Sequence, residues 1–90
     1  MRKIKVGTVQ GNKTFQAFPF DAYIGEVYGK GRKHGYYIVL ARGTQNLTKE
    51  VARHTFKTKA EAEKVIRKWL NAKIVEYDAK EALKKLRYNR

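Results

Sequence analysis

The sequence predicts an α+β domain: a small antiparallel sheet, built from an N-terminal hairpin plus three strands, packed by a helix, with a further short C-terminal helix. Two observations predict it. As far as Phe56, short runs of β-branched and aromatic residues alternate with turn signals. From Thr58 onward the apolar residues recur at helical spacing instead. At 90 residues and 42% hydrophobic content, the chain has material for one core and one domain spanning 1–90.

Residues 1 to 20 read as the hairpin. Ile4, Val6 and Thr8 alternate with Lys3, Lys5 and Gly7, and Gln10-Gly11-Asn12-Lys13 supplies turn residues before Thr14 to Phe18. Pro19 lacks an amide donor and should end the second strand or hold it at an edge. Phe15, Phe18 and Phe20 are expected in the core. Tyr23 to Tyr28 and Tyr36 to Arg42 form the next two strands, joined by the seven-residue loop Gly29-Lys30-Gly31-Arg32-Lys33-His34-Gly35. Tyr36, Ile38 and Leu40 share one face of the later strand and Tyr37, Val39 and Ala41 the other, which makes it central. After the turn Gly43-Thr44-Gln45-Asn46, Glu50 to Phe56 is the last strand expected.

Thr58-Lys59-Ala60-Glu61 has capping-box spacing, and Ala62, Val65, Ile66, Trp69 and Leu70 follow on one helical face. Val75, Ala79, Ala82, Leu83 and Leu86 lie on a face rotated by more than a quarter turn. A break near Asn71 is therefore expected, with Asp78-Ala79-Lys80-Glu81 starting the second helix; one long helix whose far half packs on a partner or on the N-terminal hairpin is the alternative.

The charge narrows the function. Twenty-one Lys and Arg against 8 Asp and Glu give +13, and the excess is no tail: residues 1–58 hold eleven bases and three acids, and residues 59–90 hold ten and five. Such a field attracts polyanions. It also suits an acidic membrane surface, an acidic protein or simple solubility. With no cysteine, disulfides and thiolate metal sites are excluded and a reducing, cytoplasmic compartment is expected. No apolar run is long enough to span a membrane and Met-Arg-Lys-Ile-Lys has no signal-peptide apolar region, so neither membrane insertion nor export is expected.

Little in the chain suggests catalysis. His34 and His54 are the only histidines, the acids are scattered, and Glu50 and His54, four apart in an expected strand, read as a solvated pair without a third orienting group. Neither an enzyme, a metal nor a cofactor is expected. The 29–35 loop is the first candidate for binding: its glycines let backbone amides approach a phosphate while Lys30, Arg32 and Lys33 neutralise it. It lacks the phosphate-loop pattern, so a mononucleotide site is not implied. The second candidate is a strand face carrying Tyr37, Arg42 and Arg53, where Arg suits guanine O6 and N7 in a major groove. Solvation of an ordinary loop and sheet face accounts for the same residues. Trp69 belongs to the core stripe. The basic end, Lys84 to Arg90, fits either phosphate contact or a favourable helix C-terminus.

From about Tyr23 to Leu70, Gly35-Tyr36-Tyr37 enters a strand and Phe56-Lys57-Thr58-Lys59-Ala60-Glu61-Ala62 opens a helix. This pattern resembles the small arm-type DNA-binding domains of phage and transposon tyrosine recombinases, similar in fold to plant AP2 domains. The resemblance covers about half the chain. It implies a three-stranded sheet in the major groove with a helix behind, and makes His34, Tyr37, Arg42 and Arg53 base or phosphate contacts. This chain departs from the pattern in its N-terminal hairpin, its twenty residues after the helix and its lack of a recombinase catalytic domain.

The expectation is a non-enzymatic DNA-binding protein, such as an accessory protein of a virus or mobile element, with duplex DNA favoured over RNA. An RNA-binding or ribosome-associated protein is the first alternative, and a viral inhibitor of a host protein the second. The rotated stripe at Val75, Ala79, Leu83 and Leu86 would then serve a protein partner or a homodimer.

Overall fold

Two-residue turns set the architecture. In a computed structural model, which describes residues 3–88, β1 (Lys5–Val9) and β2 (Asn12–Ala17) are joined by Gln10-Gly11, and β3 (Phe20–Gly29) and β4 (Arg32–Arg42) by Lys30-Gly31. All four turn residues have positive φ, between 51° and 81°. That geometry matches the twist of the strands it connects and allows tight hairpins. β3 follows β2 through Phe18-Pro19, so β1 to β4 form one antiparallel meander. Two short strands share the far edge of β4: β5 (Gln45–Asn46) pairs with Ala41 and Arg42, and β6 (Thr55–Phe56) with Tyr36 and Tyr37. The helix α1 (Lys59–Tyr88) covers one face.

Alternation puts the apolar half of each strand under that helix. Phe15 and Ala17 of β2, Phe20, Ala22 and Ile24 of β3, Ile38 and Leu40 of β4 and Phe56 of β6 meet Ala62, Ile66, Trp69, Leu70 and Ile74 in one buried cluster. Each fully buried large aliphatic, such as Ile66 or Leu70, contributes about 1.5–3 kcal/mol. The Phe20 ring stands edge-on to both Trp69 and Tyr77. Thr58 starts the helix as its spacing predicts: Glu61 N–H donates to Thr58 Oγ1 at 3.2 Å, and the Thr58 hydroxyl donates to the Glu61 carboxylate at 3.3 Å. The α+β class, the first hairpin and the central place of the Tyr36–Arg42 strand stand as expected.

Several details differ. The expected break near Asn71 is absent, because the first stripe does not end at Leu70. Ile74 continues it at 1% exposure, and Tyr77 packs against the same core, so nothing pulls the chain out of the helix. Val75 turns away from that core and is 56% exposed. There is accordingly no separate C-terminal helix. The strand expected over Glu50 to Phe56 shrinks to Thr55–Phe56. A 3₁₀ turn occupies Thr48–Glu50, closed by Val51 N–H donating to Thr48 O and tied to β4 by Leu40 N–H donating to Thr48 Oγ1, and Val51 drops toward the core. The seven-residue loop is a two-residue turn, since both strands run on through it. Phe18, expected inside, is 75% exposed at the turn before β3.

Carboxylates fasten the helix to its surroundings. Glu50 accepts from Trp69 Nε1 at 3.0 Å and pairs with Lys73 Nζ at 2.6 Å, while Glu63 accepts from Lys13 Nζ of β2 at 3.0 Å and pairs with Arg67 at 3.2 Å. Lys73 chiefly, then Trp69, holds the Glu50 carboxyl below its usual range, and Lys13 does the same for Glu63. The stability they add is complete above the unfolded glutamate pKa of about 4.3 and is lost as pH falls through their lower folded values. Thermal melts from neutral pH to below about pH 4 should therefore fall more steeply for the native chain than for a Glu50→Gln, Glu63→Gln double variant. Equal slopes would show that these pairs add nothing. Both carboxylates are partly exposed, so the difference will be modest.

The molecule is long. α1 runs in the same direction as β4, from Lys59 beside the Tyr36 ring to Tyr77 beside Arg42. The helix then continues past the sheet at one end, and the β3–β4 hairpin continues past it at the other. The principal extents are 62 × 24 × 22 Å, and the radius of gyration of 15.5 Å exceeds the roughly 12 Å of a compact chain this size.

Candidate nucleic-acid interface

The projecting hairpin is built by where its neighbours stop. β2 pairs with β3 only as far as Ile24, and β6 reaches only Tyr36 and Tyr37 of β4. Residues 26–35 consequently stand alone as a two-stranded ribbon, about 13 Å long at the usual rise per residue. The ribbon contains a bulge. Val27 pairs with Gly35 and Tyr28 with Lys33, leaving His34 as the extra residue. Gly35 makes this possible: its φ is +144°, and a Cβ there would sit 2.6 Å from the carbonyl oxygen of Phe56.

This geometry sorts the expected site residues. Lys30 is at the tip, and Arg32 is exposed opposite Gly29. Lys33 turns to the helix side, where it lies 3.9 Å from Glu26 and 5.2 Å from the centroid of the Tyr36 ring, while Tyr28 donates to the same Glu26. His34 Nε2 donates to the Gly29 carbonyl at 2.8 Å, which ties the ring across the ribbon. Arg53 is not on a strand face. Its Nε donates to Thr55 O, and its guanidinium lies 5.1 Å from the Phe56 ring centroid and 3.7 Å from Glu61. His34, Arg53, Thr55 and Lys57 nevertheless meet around one groove of about 350 Å³ at the base of the ribbon.

Arg42 does not join them. It ends β4, ten residues and about 33 Å from Arg32, with its guanidinium 5.6 and 5.7 Å from the Phe20 and Tyr77 rings. Glu50 and His54 do not meet either: Glu50 faces the helix, and His54 Nε2 donates to the Val51 carbonyl at 2.8 Å.

No described element covers the other face of the sheet. Its centre is Tyr37, which lies across Gly25 on β3 and meets the Tyr23 ring edge-on at 6.1 Å. A Cβ at position 25 would fall 2.2 Å from the Tyr37 ring, so the glycine is what lets that ring lie down on the sheet. Partial burial, then Tyr37, raises the Tyr23 phenol above its usual pKa. Thr14, Gln16, Asp21, Val39 and Ala41 line a shallow depression beside Tyr23. Tyr23, Gly25 and Lys57 were not singled out from sequence as site residues. Recognising Gly25 opposite Tyr37 needs the register of β3 on β4, which the bulge shifts.

Charge is distributed unevenly over this surface. Five of the eight acids lie on α1 and Glu50 packs against it, which leaves Asp21 and Glu26 for the sheet. Asp21 lies beside Gln16 and Ala41, away from the ribbon, and Glu26 engages Lys33. Among the described residues Lys30 and Arg32 join no ion pair. Comparison with family models, curated proteins and solved structures finds no match. The surface must therefore be read from its own chemistry. Among the described residues no three His, Cys, Asp or Glu side chains gather to hold a metal ion, and no helix is long and apolar enough to cross a membrane. What the ribbon offers is a narrow cationic tip, with hydrogen-bonding and aromatic groups behind it.

Proposed function

We propose that the protein binds duplex DNA without acting on it chemically, with the ribbon as the leading element. The observation that carries this is the projecting pair of strands whose tip cations, Lys30 and Arg32, have no acidic partner among the described residues. A major groove admits a two-stranded ribbon, and flanking phosphates would take the cations. Lys57 and Arg53 at the ribbon's base extend the positive track. The resemblance to arm-type recombinase domains supports the same orientation, with sheet toward DNA and helix behind. Arg42, remote from the ribbon, has no part in this arrangement.

Phosphate contacts release counterions, so affinity should fall steeply between about 50 and 200 mM salt. Replacing both Lys30 and Arg32 by alanine is expected to weaken binding to a duplex oligonucleotide by tenfold or more. It should also flatten the plot of log K against log salt by about two, near one unit per lost phosphate contact. Fluorescence anisotropy reads both. Absence of a complex with the native chain at about 50 mM salt, or an unchanged slope in the variant, would overturn the proposal.

The Tyr37–Tyr23 pair supports a second reading, in which unpaired bases of RNA stack on the open face. Competition between duplex DNA, duplex RNA and single strands separates the two. Under the second reading single strands win, and Tyr37→Ala weakens binding more than the loss of Lys30.

A further inference from the structure

At the opposite pole from the ribbon, α1 carries an apolar stripe that the sheet does not cover. Ala72, Val75, Ala79, Ala82 and Leu86 follow one another at spacings of three, four, three and four. This is the a/d repeat of a helix that packs along another helix. Leu83 flanks it. Val75, Leu83 and Leu86 are 56%, 53% and 68% exposed, although the helix's other face is buried as far as Ile74.

We infer that this stripe is the self-association seam of the protein, in which two copies of α1 pair antiparallel. The charges beside the seam select both the occupant and its direction. With Val75 set against the partner's Leu86 and Ala79 against the partner's Ala82, Asp78 falls beside the partner's Lys85, and the pairing occurs twice by symmetry. A parallel pair offers no such match. It would also continue the seam N-terminally to Lys68, which occupies the same repeat and would meet its own copy. Antiparallel pairing further places the two basic sheets at opposite ends, which limits repulsion between two chains of +13 each. The alanines between Val75 and Leu86 let the helix backbones approach closely.

In this register the paired seam runs from Val75 to Leu86, about 17 Å, at the small end of specific interfaces. Association is therefore expected with a dissociation constant on the order of 100 µM. Sedimentation equilibrium of the full chain, from about 10 µM to about 1 mM, should show monomer passing to dimer. Because like-charged bodies are being joined, added salt should strengthen the dimer, the reverse of its effect on DNA binding. Failure of one reading is thus separable from failure of the other.

Ala82→Glu should weaken association at least tenfold and leave the melting temperature of dilute protein unchanged, since position 82 is exposed in the monomer. The chain has no cysteine, so direction can be read from single-cysteine variants. Val75→Cys mixed with Leu86→Cys should form the mixed disulfide under mild oxidation, while neither variant alone forms its own. Disulfides formed by each variant alone would indicate a parallel pair and overturn the proposal. So would a chain that stays monomeric over the whole range, which would leave the stripe to a different protein.

Discussion

Gly35→Val is expected to cost about 3 kcal/mol or more of folding stability, the sum of a strained backbone and a steric clash. At φ +144° a β-branched residue is conformationally disfavoured, and its Cβ would have to move away from the Phe56 carbonyl 2.6 Å distant. That carbonyl belongs to β6, which is only two residues long and pairs with Tyr36 and Tyr37. It has no spare register in which to relieve the contact. The movement would also draw on Phe56, which is 5% exposed in the core, and on the helix start that follows it. For a domain of this size, a loss of about 3 kcal/mol lowers the melting temperature by roughly 12–24 °C. Circular dichroism melts would measure it. A shift of only a degree or two would mean that the bulge repacks freely and that Gly35 is not what aims the ribbon.

Asn71→Pro should be comparably damaging. Asn71 is exposed and its side chain does no packing, so a loop or a helix boundary at this point would accept proline readily. In the interior of α1, proline removes an intrahelical hydrogen bond and its ring crowds the preceding turn, at a cost of about 3 kcal/mol. The damage would fall between Leu70 and Ile74, 0% and 1% exposed, which both anchor the helix on the sheet. Urea titration of Asn71→Pro beside Asn71→Ala isolates the backbone effect. Alanine should be neutral or slightly stabilising. If proline were tolerated equally well, the helix would have to be divided in solution.

That contrast also shows where linear reading of the sequence succeeds. Thr58 and Glu61 are local signals, three residues apart, and the helix begins where they place it. The alternation of Tyr36, Ile38 and Leu40 against Tyr37, Val39 and Ala41 is equally local, and it identifies the central strand correctly. Errors arise where a residue's environment depends on distant neighbours. Glu50 belongs to no strand because Trp69 and Lys73 hold it from another element. Phe18 is exposed although Phe15 and Phe20 are buried, since a turn can expose one member of an aromatic cluster. Two stripes on one helix suggest a break only if both are assumed to need the same sheet.

The candidate site follows the same logic. Three glycines and four basic residues mark the 29–35 segment without any structure, but not that strand pairing continues almost to its tip. Lys33 and His34 are adjacent in sequence, and the bulge sends one toward Glu26 and the other across to Gly29. Arg42 and Arg32 sit on the same strand and charge alone groups them, but its length holds them apart.

Elongation gives the chain a kind of modularity unusual for one small core. Energetic cross-talk between substitutions generally fades beyond about 7–10 Å, whereas the tip around Lys30 and the helix end around Leu86 extend from opposite sides of the shared core. Residues at one extremity can therefore be exchanged with little consequence for the other, so evolution or a protein engineer could retune either end separately.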